Sequence, residues 1–180
     1  MDMSSFSLEG KIALITGASY GIGMAIAKGM AAAGATIVFN DIKQELVDKG
    51  LAAYEEAGIK AHGYVCDVTN EDAVNELVAK IEAEVGVIDI LVNNAGIIKR
   101  IPMCEMTAAQ FRQVIDVDLN APFIVSKAVI PSMIERGHGK IINGPQTAEG
   151  NTESGYFKSC HISLPPFRLP FSQSVFPSVR

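Results

Sequence analysis

Three glycines near the N-terminus, at positions 17, 21 and 23, form the first candidate for chemistry in this sequence. An apolar run precedes them and an alanine-rich stretch follows, which is typical of a strand, a tight turn and a helix. Glycines in such a turn let the backbone approach a pyrophosphate, and the amides of the next helix point at its charge. The turn therefore predicts a dinucleotide site. Its candidate cofactor-binding residues are Gly17, Ser19, Tyr20, Gly21, Ile22 and Gly23.

An acidic residue that ends the second expected strand is the next candidate. Asp41 lies 24 positions after Gly17. A carboxylate there accepts hydrogen bonds from the adenosine ribose and repels a 2′-phosphate, although an ordinary solvated turn acid is the alternative. Neither Tyr20 nor Ile42 is basic, while Lys43 is close by. The pattern favours NAD as the cofactor, with NADP as the alternative.

Two further strand ends are expected at the same edge of the sheet. Asp67 and Val68 follow the third strand, where the acid could accept from an adenine amino group and the valine could cover the ring. A turn acid that leads into a helix is the alternative. Asn94, Ala95 and Gly96 follow the fourth strand and predict a sharp turn along which a cofactor can lie. A plain loop is the alternative there, because Asn and Gly are common turn residues.

Short β-branched runs alternate with longer helical patterns between residues 11 and 143, which predicts a parallel sheet with crossover helices. The expected strands are 11–16, 36–40, 61–65, 88–93 and 140–143. Right-handed crossovers give the strand order 3-2-1-4-5, with a ligand crevice at the carboxyl ends of strands 1 and 4. The expected fold class is therefore α/β, a Rossmann-like doubly wound parallel sheet, truncated after strand 5.

The helical segments carry their own start signals. Thr69 is expected to cap a helix whose apolar stripe begins at Val74, and Thr107 with Gln110 has the spacing of a capping box. The helix expected over Pro122–Arg136 is apolar on nearly every side. An apolar face of that kind needs a covering partner.

The periodic pattern ends after Asn143. Residues 144–180 contain five of the eight prolines and four of the eight phenylalanines, with no helical or strand period. We therefore expect two parts, a dinucleotide-binding domain over 1–143 and an irregular or disordered tail over 144–180. Strand 5 would then be a free edge of the sheet.

Composition excludes several function classes. The 180 residues carry a net charge of −5 without a basic cluster, which argues against a nucleic-acid partner. No apolar run approaches the ~20 residues of a membrane span, and the N-terminus does not resemble a secretory signal. The three cysteines are widely spaced, as expected for free thiols in a reducing cytoplasm. His62 and His138 have no neighbouring ligands at a metal-binding spacing.

The glycine turn Thr16–Gly23, followed about 75 residues later by Asn93–Gly96, closely resembles the short-chain dehydrogenase/reductase family. Within that family, residues 7–143 are most similar to the gluconate 5-dehydrogenase group, notably over 97–103 and 115–123. The resemblance implies a nicotinamide cofactor and a sugar-acid substrate, with interconversion of D-gluconate and 5-keto-D-gluconate. It also implies contact of the Pro122–Arg136 helix with another subunit, and so a possible homo-oligomer.

The catalytic set of that family is an Asn–Ser–Tyr–Lys group, and this sequence departs from it. The asparagine position is Asp118 and the serine position is Gln146. Tyr156 and Lys158 are two residues apart, whereas the family's pair is four apart on one helix face. We therefore expect no catalytic residues, weak dinucleotide binding at most and no turnover. The alternatives are a non-catalytic binding or interaction module, and a defective product whose reading frame was lost after Asn143.

Overall fold

The computed structural model describes residues 6–144 and the backbone of residues 161–164. Strands and helices alternate along this part of the chain. The strands are β1 (Ile12–Thr16), β2 (Thr36–Asp41), β3 (Ala61–Val65), β4 (Ile90–Asn93), β5 (Gly139–Asn143) and β6 (His161–Leu164). The helices are α1 (Gly21–Ala32), α2 (Gln44–Glu56), α3 (Glu71–Glu84), α4 (Ala108–Ile115) and α5 (Ala121–Arg136), with a π-helical turn over Asp116–Asn120 between the last two.

One sheet contains all of these strands, in the order β3-β2-β1-β4-β5-β6. The first five strands are parallel, so the predicted order 3-2-1-4-5 and the α/β doubly wound class are confirmed. β1 and β4 are neighbours at the point where the order reverses. That switch point places a crevice at their carboxyl ends.

The outer side of β5 differs from the sequence prediction. β6 runs antiparallel to β5, pairing Ile141 with Ile162 and Ile142 with His161. The expectation of a free edge at β5 is therefore wrong over this length, because a later segment supplies a backbone partner. The rest of the predicted tail lies outside the described residues.

The sheet has a core on each face because successive strand residues point to opposite sides. In β1, Leu14 faces a cluster built with α3 and α5. Ala13 and Ile15 face the other cluster, built with α1 and α2. All three side chains are fully buried. This double coverage explains why the strands are continuous apolar runs rather than alternating ones.

Two helix starts test the capping predictions. Thr107 and Gln110 form the predicted capping box at α4, with both reciprocal hydrogen bonds present. The prediction for α3 is wrong by one residue, because Asn70 is the N-cap and accepts from the amide of Ala73. The Thr69 hydroxyl instead donates to the Asp67 carboxylate, at 2.7 Å.

The helical run Ala108–Arg136 is the longest in the described residues. By length and composition it is apolar enough to cross a membrane, with a mean hydropathy of 1.2 over an 18-residue window. Charged residues interrupt this helix, so the predicted absence of a continuous apolar run of about 20 residues stays a prediction about membrane crossing. One side of α5 packs on the sheet through buried Val125, Val129 and Met133. A helix that lies on the core of a domain meets the same length and composition criteria.

The Asp89 carboxylate, just before β4, links the start of β1 to the end of α5. Asp89 is 9% exposed, and it accepts from the amide of Ile12 at 3.0 Å and from Arg136 Nη1 at 2.9 Å. The Lys11 ammonium lies 3.6 Å away, and His138 Nε2 lies 3.2 Å away. Burial opposes ionisation of this carboxyl, but the hydrogen bonds from Ile12 and Arg136 and the charges of Lys11 and Arg136 outweigh it, so the pKa of Asp89 is below its usual range.

Asp89→Asn should therefore destabilise the domain by about 1 to 3 kcal/mol at neutral pH, because an ionised acceptor is lost. A group whose pKa is lower in the folded chain stabilises it above the unfolded pKa, about 4, and stops doing so as the pH falls through the folded value. Urea unfolding should show the gap between the two proteins closing below about pH 4. Asp48→Asn, at an exposed carboxylate on α2, is the control and should change the unfolding free energy by less than about 0.5 kcal/mol. A gap that stays constant with pH would contradict the assignment.

Candidate dinucleotide-binding site

The glycine turn lies between the end of β1 and the start of α1, at the switch point of the sheet. Gly17 and Gly21 both have φ of 63°, the left-handed region that favours glycine. Tyr20 is the N-cap of α1, and its side chain makes no capping hydrogen bond to the first turn. Among the described residues, the first amides of α1 therefore face the crevice without a side-chain acceptor, which is the arrangement that binds anions at helix N-termini.

Two of the glycines allow a close approach between the turn and the loop after β4. A Cβ atom on Gly17 would lie 2.9 Å from the Cα of Ala95. On Gly23 it would lie 2.5 Å from Asn94 Nδ2 and 2.8 Å from the carbonyl oxygen of Gly17. Any side chain at these positions would force the two segments apart. Sequence spacing predicts the need for glycine here, and the structure supplies its steric reason.

Thr16 joins the same two segments through hydrogen bonds. Its Oγ1 accepts from the amides of Asn94 and Ala95, at 3.0 and 2.9 Å. The Asn94 side chain donates in return to the carbonyls of Thr16 and Gly17, at 3.0 and 3.1 Å. Sequence reasoning missed Thr16, because its partners are 78 and 79 positions away. The contacts hold the floor of the crevice in one conformation.

The remaining candidates in the turn differ in exposure. Ser19 is 4% exposed, and its Oγ has no hydrogen-bond partner among the described residues. Tyr20 and Ile22 are 66% and 63% exposed. A buried hydroxyl without a partner is costly unless a bound group satisfies it. The Ser19 hydroxyl and the uncapped amides therefore fit a pyrophosphate.

Asp41 lies at the end of β2, where it is mostly buried. Its Oδ1 accepts from the amide of Ile42 at 2.8 Å, which fixes the orientation of the carboxylate and uses one of its two oxygens. The backbone of Asp41 also accepts from the amide of Cys66, at 2.9 Å. This geometry suits a carboxylate that receives hydrogen bonds from a ribose.

Asn40 precedes Asp41 in β2. Its Nδ2 donates to the carbonyl of Cys66 at 3.2 Å, while its Oδ1 has no partner among the described residues. Burial raises the pKa of the Cys66 thiol to about 11. Cys66 therefore stays a neutral packing group beneath the crevice.

The two candidates after β3 have structural partners of their own. Asp67 Oδ1 accepts from both the amide and the hydroxyl of Thr69, at 2.9 and 2.7 Å. Val68 is buried in the core beside α3. Asp67 thus forms the turn that leads into the helix, which was its alternative interpretation. Its exposed position still leaves it at the rim of the crevice.

A second carboxylate lies across the crevice, in the π-helical turn. Asp118 Oδ1 accepts from the amide of Ile97 at 2.9 Å, and burial raises the pKa of this carboxyl above its usual range. The Lys99 ammonium donates to the Gln113 side chain nearby. The loop begins at Asn94, Ala95 and exposed Gly96. Two hydrogen bonds, from Ile97 and from Lys99, therefore hold it to the helical run Ala108–Arg136. The predicted departures Gln146, Tyr156 and Lys158 lie outside the described residues.

A doubly wound parallel sheet with a glycine turn at its switch point defines a Rossmann-like α/β domain. The chain belongs to the short chain dehydrogenase family, whose model matches residues 11–151.

Several relatives resemble the chain over the same region. The 2-dehydro-3-deoxy-D-gluconate 5-dehydrogenase of Formosa agariphila is 56% identical over 144 residues, covering 79% of this chain and 54% of the relative. The crystal structure of 2-keto-3-deoxy-D-gluconate dehydrogenase from Streptococcus agalactiae is similar with a TM-score of 0.72 and 77% identity, covering 78% of this chain and 53% of that one. The gluconate 5-dehydrogenase of Burkholderia cenocepacia, in complex with NADP and tartrate, has a TM-score of 0.73 and 42% identity, covering 78% and 55%. The chain thus spans about half the length of the relatives it matches.

Proposed function

We propose that this chain is the nucleotide-binding part of a short-chain oxidoreductase and binds a nicotinamide dinucleotide without turning over substrate. The observation that carries the proposal is the orphaned Ser19 hydroxyl beside the uncapped start of α1. Family membership supports the cofactor class. The bound cofactor supplies the hydride chemistry, whereas the described residues supply only its cradle.

Each part of the cradle has a distinct role in this proposal. The first amides of α1 and the Ser19 hydroxyl hold the pyrophosphate through hydrogen bonds to its negative oxygens. Asp41 accepts from the adenosine ribose with its other carboxylate oxygen. Asp67 and Val68 border the adenine. Asn94, Ala95 and Gly96 line the crevice on the side of β4.

NAD is the proposed cofactor rather than NADP. Asp41 is fixed by Ile42 with its carboxylate at the ribose end of the crevice, where it repels a 2′-phosphate. The Burkholderia relative was crystallised with NADP, so NADP is the alternative. Lys43, exposed two residues after Asp41, is the cation that would favour NADP. Asp41 is the last residue of β2, whereas Lys43 lies two residues beyond the strand. We therefore give the carboxylate more weight than the ammonium and propose NAD.

The proposed substrate class is a sugar acid, as in D-gluconate and 5-keto-D-gluconate, by similarity to the relatives above. We propose that turnover is absent because the serine and the Tyr-x-x-x-Lys pair of the family are not present in this sequence. A phenol that transfers the proton and an ammonium that lowers its pKa are both required for that step. The cytoplasm is the proposed location.

Calorimetric titration tests the cofactor proposal. The chain should bind NAD more tightly than NADP, and Asp41→Asn should improve NADP affinity relative to NAD by about tenfold, because like-charge repulsion is removed. Asp67→Asn, an acid at the rim with its own local partners, is the control and should leave the ratio unchanged. Absence of binding to either dinucleotide by the folded chain would refute the proposal.

The exposed side of α5 favours a second role, as an interaction surface for another copy of the chain. Phe123 and Ile134 are 67% and 62% exposed, and they lie eleven residues apart, three turns along one helix face. Leu119, in the π-helical turn, is 62% exposed. We propose that a second copy of the chain covers this stripe, giving a homo-oligomer through the helix over 122–136. Sedimentation of the sample used for the titration should give the mass of an oligomer. The mass of a stable monomer would contradict the proposal.

A further inference from the structure

Helix α2 lies directly beneath the glycine turn, on the side away from the crevice. A Cβ atom on Gly50 would lie 3.0 Å from the Cα of Ser19 and 2.9 Å from the ring of Phe39. One turn further along α2, Tyr54 is fully buried, with its ring centroid 5.0 Å from that of Phe39. The helix therefore packs against the turn with no room for an intervening side chain.

The Tyr54 hydroxyl makes a specific contact with the turn. It donates to the carbonyl oxygen of Ala18 at 2.7 Å, and Ala18 is itself fully buried. Burial raises the pKa of Tyr54, so that its hydroxyl remains a donor. A buried carbonyl that lost this partner would have no water to replace it.

This hydrogen bond sets the direction of the next amide. The peptide that joins Ala18 to Ser19 is planar and trans, so its C=O and N–H point in opposite directions. With the carbonyl held toward α2, the amide of Ser19 points away from the core. Rotation of that peptide would change ψ of Ala18 and φ of Ser19, and it would break the hydrogen bond from Tyr54.

We propose that Tyr54 is a positioning residue for dinucleotide binding, which aims the Ser19 amide at the pyrophosphate by holding the carbonyl of Ala18. Tyr54 does not itself touch the ligand. The hydrogen bond from Tyr54 raises the fraction of molecules in which the turn is oriented to bind phosphate. Apparent affinity falls in proportion when that fraction falls. The inference rests on the proposed function, because it requires that the turn binds phosphate.

The test compares Tyr54→Phe with the unmodified chain in NMR titrations with ADP and with adenosine. ADP reaches the glycine turn with its phosphates, whereas adenosine reaches only the Asp41 side of the crevice. Tyr54→Phe should weaken ADP binding about fivefold, as expected for one hydrogen bond. Adenosine binding should change less than about twofold. Tyr64→Phe is the matched control, because Tyr64 also donates one hydroxyl hydrogen bond, at 2.8 Å to Glu84, but on the exposed surface. It should leave both affinities unchanged.

Two results would overturn the inference. Tyr54→Phe could bind ADP as tightly as the unmodified chain, which would show that the hydroxyl does not position the turn. The affinities of Tyr54→Phe for ADP and for adenosine could instead fall by the same factor, which would show a general loss of structure. If the folded, unmodified chain binds adenosine but not ADP, the proposed function itself fails, and that outcome is distinct from the other two.

Discussion

Replacing residues 144–180 by the matching C-terminal part of the Streptococcus agalactiae relative should raise dehydrogenase activity from background by at least about a hundredfold. The described part of this chain is 77% identical to that relative over the region they share. Its cradle already contains the glycine turn, Asp41 and the loop fastened by Thr16. In our proposal this sequence lacks the positioned acid–base group, which accepts the hydroxyl proton when NAD is reduced, and such a group contributes about a hundredfold or more.

The measurement is reduction of NAD with 2-dehydro-3-deoxy-D-gluconate and with D-gluconate, followed by the absorbance of the reduced nicotinamide. The unmodified chain is measured beside the chimera at the same NAD occupancy, so that weak binding is not mistaken for absent chemistry. A chimera that also carries Asp41→Asn is the control for cofactor use. It should keep its turnover at saturating cofactor and show a smaller preference for NAD. If the unmodified chain reached the rate of the chimera, some residue outside the family's catalytic set would be transferring the proton.

Local sequence signals were sufficient for most of the fold. The strand order follows from alternating strand and helix patterns, and the capping box at Thr107 follows from its spacing to Gln110. The N-cap of α3 was misplaced because both Thr69 and Asn70 are good caps. The choice depends on Asp67, whose carboxylate takes the amide and the hydroxyl of Thr69 and leaves Asn70 to cap the helix. A side-chain contact of this kind does not appear in residue periodicity.

The site was predictable as a set of strand ends but not as a network. Glycine spacing predicts the turn, whereas the contacts that hold it come from residues distant in sequence. Thr16 binds the Asn94 amide 78 positions away, and Tyr54 reaches Ala18 across 36 positions. Single hydroxyls on a strand end or a helix are common, so neither has a signal that separates it from other residues of its type. Tertiary packing alone identifies them.

Gly23→Ala should be a strongly damaging substitution, because its added methyl group meets backbone atoms. The added Cβ would lie 2.5 Å from Asn94 Nδ2, 2.8 Å from the carbonyl oxygen of Gly17 and 2.9 Å from the Cα of Ala18. Two of these three atoms are backbone, so the turn cannot relieve the clash by rotating a side chain. We expect a loss of unfolding free energy of about 1 to 3 kcal/mol, as for other overpacked sites. Dinucleotide binding should fall below detection, because the turn must move away from the loop after β4.

Gly29→Ala supplies the matched control, since it adds the same methyl group to the same helix. Gly29 is exposed, and a Cβ there would meet no atom of the described residues within 4 Å. Alanine is favoured over glycine inside a helix by about 1 kcal/mol, so this variant should be more stable than the unmodified chain and bind NAD equally well. Both variants share that helical gain, and the difference between their urea unfolding free energies therefore isolates the steric cost at Gly23. Equal stability of the two would mean that the turn and the Asn94 loop separate without cost, and the packing argument for a fixed pyrophosphate cradle would then fail.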